Sequence, residues 1–502
     1  MKSISDVDIQ KRIERDNPWW RNSTKSIPEL SSPRRVYFAP LRALALDFSI
    51  KRATVLLGPR RVGKTFMIKQ LVGEAIASGI EPKSILYVSI DTPIYSGIVL
   101  QHFIDFMPSQ PDGGRRVVIF DEIQYLKDWE IHLKDLVDNY GDIKFIASGS
   151  AAAALRLKSQ ESGAGRFSDF MLPPLTFYEF LNFIGEDKQL IDETDIITGT
   201  QVRKQYTIKD LDALNARFID YLNYGGYPEA VLNQSIRENP EQFIRNDIID
   251  KVLLKDLPSL YGIQEIQDLN KLFSFLAYNA GNEASLENIS QESGISKPTI
   301  KRYIEYLESA FLIIKLSNVD DNCATMKRER NFKVYLNNPS MRAALFAPVE
   351  ANESERIGHL TESAIFSQWQ HSPYFRQLRY SRWRNEGEVD IVYLSGPRQL
   401  PLWIGEIKWS DRIVKHQADE TRAMQVLLDK HSSITAAFFT SRTVSKHFTL
   451  SGKQINVWPS ALYCYMVGRN ITTALNAPIS PEVDKATVKA PVKASAKATQ
   501  PA

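Results

Sequence analysis

Residues Gly58 to Thr65 read GPRRVGKT and directly follow the apolar run Ala53-Thr54-Val55-Leu56-Leu57. That run has the make-up of a strand buried on both faces of a parallel sheet. A glycine-bearing loop between such a strand and a helix is an anion site, because main-chain N–H groups and the helix dipole converge on a polyphosphate. Phe66 to Ala75 supplies the expected helix. Gly58, Pro59, Arg60, Arg61, Val62 and Gly63 form the candidate nucleotide cradle, with Phe66 just beyond it. Lys64 is the residue to reach the β and γ phosphates, and the Thr65 hydroxyl is the one to ligate Mg²⁺.

A second apolar run, Arg116-Val117-Val118-Ile119-Phe120, passes straight into Asp121-Glu122 about sixty residues after Lys64. Asp121, at the carboxyl end of a strand, is expected to hold the Mg²⁺ water shell. Glu122 is expected to polarise a water for in-line attack on the γ-phosphate, which argues for hydrolysis and not merely binding. A third run, Ile143 to Ala147, ends in Ser148-Gly149-Ser150. Ser148 is the candidate γ-phosphate sensor; an ordinary Ser-Gly turn fits the same residues. Arg166, in Gly163-Ala164-Gly165-Arg166-Phe167, is the candidate arginine finger, within the chain or across an interface. A solvated loop arginine fits equally.

Several stretches follow one another along the chain: NPWW (Asn17 to Trp20), GPRRVGKT, FDEIQYLKDWE (Phe120 to Glu130), ASGS followed by GRF, PPLTFYEFL (Pro173 to Leu181) and YGGYPEAV (Tyr224 to Val231). In these the chain resembles the AAA-like ATPases of bacteria and archaea that carry a C-terminal domain of uncharacterised function. The resemblance spans roughly residues 15 to 470. It implies ATP as the nucleotide and hydrolysis coupled to a task that it does not name. The alanine run Ala151 to Ala154 departs from it.

Length and composition fit a chain of several domains. The balance of 62 basic against 59 acidic residues gives no global attraction to nucleic acid or membrane, so any such surface must be local. Cys323 and Cys464 make no disulfide framework and no CxxC spacing. The N-terminus lacks an apolar signal core, and no segment has the apolar length to span a bilayer. A cytoplasmic protein without a membrane partner is the expectation; DNA and a second copy of the chain are the candidate partners.

The expected fold class is α/β: a P-loop NTPase (AAA-like) parallel-sheet core, a helical lid, a winged helix-turn-helix and a C-terminal restriction-endonuclease-like α/β domain. The boundaries read as an adaptor over 1–50, ATPase core 51–184, lid 185–275, winged helix-turn-helix 276–333, nuclease-like domain 334–472 and tail 473–502. In the adaptor, Ile9, Ile13 and Trp20 are candidates to pack on the core. The pair Trp19-Trp20 suits either a groove of the same molecule or a partner surface. In the helix-turn-helix, Leu286 and Ile289 share one helix face, Gly294 supplies the turn and Ser296 caps a second helix. Along that helix Ile300, Tyr303, Ile304 and Leu307 keep the 3.6 period, which leaves Lys297, Lys301 and Arg302 outward. DNA contact and simple domain packing both fit. The tail, with Lys485, Lys489, Lys493 and Lys497 but little to bury, reads as disordered.

In the last third, Glu386 to Tyr393 reads as a turn into a strand and Leu402 to Trp409 as the next. Side chains two apart on a strand share a face, so Glu406 and Lys408 project together, with Asp390 on the neighbouring strand. Two carboxylates and a lysine on one face are a set that binds Mg²⁺ beside a phosphodiester. Glu362, in the helical stretch Leu360 to Trp369, is placed to join them. This set resembles the PD-(D/E)xK restriction-endonuclease-like fold, which implies catalytic roles for Glu362, Asp390, Glu406 and Lys408 and metal binding by Asp390 and Glu406. Buried ion pairs with Arg379, Arg382 or Arg384 are the competing reading. Those arginines, interleaved with Phe375, Tyr380 and Trp383, are also the candidate nucleic-acid surface.

Overall fold

Ala53–Leu57 forms β1, with every position buried, and the rest of its sheet is built around it. A computed structural model describes residues 5–22, 27–108, 114–150, 165–198, 201–323, 331–383, 387–396 and 399–475. The alanine run 151–154, Gly163, Ala164, Arg384, Glu386 and the lysine-rich tail lie outside them. By contact the chain divides into two units: Met1–Pro173 with Asp256–Gly262 and Ser309–Phe311, and the remainder.

In the first unit β1 is joined by β2 (Ile85–Ser89), β3 (Arg116–Asp121), β4 (Ile143–Gly149) and β5 (Phe167–Met171). They pair in the order β2-β3-β4-β1-β5, all parallel. Their carboxyl ends therefore share one edge of the sheet. The register sets Leu56 opposite Ser148, and Phe120 opposite Ala147. β4 thus stands between the strand that feeds the phosphate loop and the strand that ends in Asp121. Helix Lys64–Ala77 begins at the loop itself, two residues before the expected start.

The edge strand β2 would leave unpaired backbone groups facing outward. Asn17 covers them: its Nδ2 donates to the Tyr87 carbonyl at 2.8 Å and its Oδ1 accepts from the Tyr87 N–H at 2.7 Å. The indole N–H groups of Trp19 and Trp20 both donate to the Ile85 carbonyl, at 3.1 and 2.8 Å. Ile9 and Ile13 belong to the same apolar cluster as β1 to β4. The NPWW stretch therefore fills a groove of its own molecule.

The second unit departs from the expected boundaries. Residues 185–275 are not wholly helical: β6 (Ile191–Thr198) and β7 (Gln201–Ile208) form an antiparallel hairpin. Five of the eight residues of β6 (IDETDIIT) are β-branched, which suits a strand better than a helix. A nine-stranded mixed sheet follows, made of β8 (Glu283–Ser285), β9 (Ile313–Val319), β10 (Asn331–Leu336), β11 (Leu378–Trp383), β12 (Gly387–Leu394), β13 (Pro401–Glu406), β14 (Ala436–Ser441), β15 (Lys446–Leu450) and β16 (Lys453–Pro459). Its order is β15-β16-β14-β13-β12-β11-β9-β10-β8. The expected boundary between 333 and 334 cuts through β10, so the segment read as a separate wing is continuous with the C-terminal sheet.

Helices Leu286–Ser293 and Lys297–Ser309 flank Gly294, whose φ of 75° is a left-handed turn that favours glycine. Ile300, Tyr303, Ile304 and Leu307 are buried, while Lys301 and Arg302 are exposed. Lys297 is exposed too but pairs with Glu287.

Candidate functional site

The phosphate loop is shaped by close approach. A Cβ on Gly58 would fall 2.3 Å from the Leu172 carbonyl oxygen, which excludes any other residue there. Gly63 takes φ 95° where the loop enters the helix, again a conformation that favours glycine. Val62 is buried and its carbonyl accepts from Arg35 at 2.9 Å; Arg35 also donates to Pro173 O at 3.0 Å, bracing the loop from the N-terminal segment. Arg61 has a left-handed φ of 64° and Phe66 is 47% exposed, so Phe66 stands on the outer face of the first helical turn.

Lys64 is buried, and its Nζ donates to the carbonyls of Gly58 at 3.0 Å and Pro59 at 2.7 Å. Burial lowers the pKa of its ammonium, against the pull of Glu122 and Asp121. The Thr65 hydroxyl donates to Asp121 Oδ2 at 2.8 Å, and the Tyr87 hydroxyl reaches the same oxygen at 2.8 Å. Ser148 donates to Asp121 Oδ1 and accepts from the Glu122 N–H at 3.1 Å. Burial and the neighbouring carboxylate push the Tyr87 phenol well above its ordinary pKa. The acid is thus held by three hydroxyls at the sheet edge, in contact with the first residue of the loop helix able to bind a cation. These oxygens suit a hard divalent ion.

Glu122 has φ 54°, a left-handed conformation unusual outside glycine, and its carboxylate accepts from Gln124 Nε2. Arg60 does not face the loop interior: it makes a two-point pair with Asp256, Nε–Oδ2 2.9 Å and Nη2–Oδ1 2.9 Å, and touches the Tyr125 hydroxyl at 3.3 Å. Arg166 requires a correction. It precedes β5, whose Phe167 lies opposite Ala53, so it sits at the amino end of the strands and its guanidinium pairs with Asp138 at 2.6 Å. Within one chain it is on the wrong edge of the sheet for an arginine finger.

Comparison with known families matches residues 50–181 to an AAA domain and residues 215–353 to a domain of unknown function, DUF8612. Fold, loop and match agree on an AAA-like P-loop NTPase domain. Among curated proteins, the chain is 26% identical over 274 residues to an uncharacterised protein of Haemophilus influenzae, covering 53% of this chain and 62% of that protein. It is 23% identical over 395 residues to one of Methanocaldococcus jannaschii, covering 76% of this chain and 82% of that protein. The chain therefore spans less than two thirds of the Haemophilus relative. Among solved structures it is similar to the Aeropyrum pernix ORC1 protein in complex with DNA, at TM-score 0.31 and 12% identity, covering 63% of this chain and 93% of that one. Among the described residues, no helix is long and apolar enough to cross a membrane.

The second unit holds a separate charged cluster. Ile391 pairs with Gly405, which brings Asp390 beside the end of β13. Asp390 is buried; its Oδ2 accepts from the Ile407 N–H at 2.9 Å and lies 3.5 Å from Lys408 Nζ. Lys408 Nζ meets Glu406 Oε1 at 2.5 Å, although β13 ends at Glu406 and Lys408 lies beyond it, its N–H held by Thr440. Glu362 receives the Tyr335 hydroxyl at 2.9 Å. Burial, then the charge of Asp390, raise the Glu362 carboxyl to about 7 and the Glu406 carboxyl to about 8. Asp390 goes the other way: burial opposes ionisation, but Lys408, Lys333 and the Ile407 amide hold it below its usual value.

Of the arginines expected to pair with these acids, Arg384 lies outside the described residues. Arg382 lies 3.6 Å from Glu283 and from Glu388, and Arg379 donates to the Arg376 and Leu378 carbonyls. Tyr380 is fully buried, so the interleaved aromatic and basic residues do not share one exposed face. Beside Lys408, a second cation joins the acids: Lys333, for which the sequence carries no signal. Among the described residues, no three histidine, cysteine or carboxylate side chains converge as metal ligands do.

Proposed function

We propose that this chain binds and hydrolyses Mg·ATP at the loop Gly58–Thr65 and couples its nucleotide state to DNA. One observation carries the reading: the Thr65 hydroxyl meets the Asp121 carboxylate at 2.8 Å, with Lys64 Nζ donating to two loop carbonyls. In this reading Lys64 exchanges those carbonyls for β and γ phosphate oxygens, and the loop amides hold the rest of the triphosphate. Thr65 and Asp121 are the residues that would hold Mg²⁺, which supplies charge neutralisation at the phosphates when bound. Glu122 exchanges Gln124 for a water and takes its proton as the water oxygen bonds to the γ-phosphorus and the β–γ bridging bond breaks. Ser148, between the two strands, fixes Asp121 and the Glu122 amide.

The DNA arm draws support from the helix pair around Gly294, a helix-turn-helix in this reading, with Lys301 and Arg302 exposed on its second helix. The test is phosphate release from Mg·ATP by the full chain, with and without duplex DNA. Turnover that DNA stimulates, with the stimulation lost in a Lys301→Ala, Arg302→Ala double variant, is the expected result. No release sinks the hydrolysis reading; release with no DNA binding sinks the DNA arm.

A second reading, an ATPase switch whose C-terminal unit binds a partner without cutting nucleic acid, is favoured by the ammonium of Lys333 among the acids of the nuclease-like cluster.

A further inference from the structure

Lys333 comes from β10, a strand of the segment that precedes the nuclease-like residues, yet its side chain is only 4% exposed. Its Nζ lies 3.5 Å from Asp390 Oδ1 and 3.7 Å from Glu362 Oε2, and it pairs directly with Glu388. The Tyr380 ring covers it, with the centroid 5.5 Å away. Lys408 serves the other Asp390 oxygen and Glu406 Oε1. Four carboxylates (Glu362, Glu388, Asp390, Glu406) thus face two ammonium groups. The remaining Glu406 oxygen, Oε2, is buried without a hydrogen-bond partner, although Glu406 is only 7% exposed. A buried acidic cluster with an unpartnered oxygen invites a cation, even with Arg382 also 3.6 Å from Glu388. Its central position is already filled by one that is covalently part of the chain.

We propose that Lys333 is the resident cation of this cluster and sets its metal affinity: its ammonium stands between Asp390 and Glu362 where a divalent ion would otherwise bind. The inference rests on the nuclease-like reading of these acids and adds the reason they do not converge on a metal. An ammonium and a divalent ion repel at this separation, and both need Asp390 Oδ1. While β10 is seated in the sheet, divalent ions are excluded; withdrawal of Lys333 opens the site to them. Because β10 is continuous with the strands that follow the helix pair around Gly294, movement of that segment is the physical route to withdrawal.

The test is a Mn²⁺ titration of the full chain without nucleotide, following free Mn²⁺ by electron paramagnetic resonance. Lys333→Met is expected to bind Mn²⁺ at least about ten-fold more tightly than the wild type. Lys333→Arg, which keeps the charge, should stay at the wild-type level, and adding Asp390→Asn to Lys333→Met should remove the gain. Equal affinity in Lys333→Met and wild type overturns the proposal, as does a gain that survives Asp390→Asn. Should Lys333→Met be poorly folded, its melting temperature supplies the second readout: Mn²⁺ should raise it by several degrees more than it raises the wild type's. No such difference overturns the proposal. A Lys333→Met chain that gains Mn²⁺ but cuts no DNA leaves this inference standing and sinks only the cleavage reading.

Discussion

Glu122→Gln is expected to lower ATP turnover by about a hundred-fold or more while nucleotide affinity changes little. The substitution keeps the shape of the side chain and its contact with Gln124, and the main chain at 122 keeps its bond to Ser148. What it removes is the ability to take a proton from water. Lys64, Thr65 and Asp121 are untouched, so ground-state grip on the phosphates stays. The measurement is kcat alongside a separately determined Kd for ATP. A fall in turnover of less than about ten-fold would assign water activation to another group.

The second large effect is on stability. Asp390→Asn should destabilise the second unit by about 3 kcal/mol, the range for removing one partner of a buried charge network. Asp390 is shared by Lys333 and Lys408 and also accepts the Ile407 N–H. An amide leaves both ammonium groups short of a carboxylate and can accept through one atom only. Ionisation of Glu362 and Glu406, whose carboxyls sit near 7 and 8, limits the loss by restoring negative charge. Urea unfolding read on the second unit's transition measures it. Combining Asp390→Asn with Lys333→Met should cost less than the sum of the two single changes, because one removed charge relieves the other. Strict additivity would mean that the two side chains do not interact.

The phosphate-loop site was legible because each of its parts is local. Strand, loop and helix follow one another from Ala53 onward, and Asp121-Glu122 ends its own strand, so spacing alone places Lys64, Thr65 and Asp121 at one edge of the sheet. The partners that tune those residues are not local. Arg35, Tyr87 and Asp256 reach the loop and Asp121 only through strand order and chain return, and no motif marks them. Arg166 misled for the same reason: a short distance in sequence from Ser148 became the opposite edge of the sheet once β5 paired with β1. In the second unit, alternation along β12 and β13 brought Asp390 and Glu406 together as read. Lys333 stayed hidden because its strand was assigned to a different module, and only the continuity of the nine-stranded sheet carries it to the acids. The hairpin of β6 and β7 was lost to propensity counting over a long window that is otherwise helical.

Calorimetric titration of the full chain with Mg·ATP, wild type beside Lys64→Ala, tests the nucleotide pocket most directly. One nucleotide is expected per wild-type chain, with affinity weakened about a hundred-fold in Lys64→Ala, the value of a charge-assisted contact to phosphate. Equal affinity in the two chains, or no heat of binding in the wild type, would contradict it.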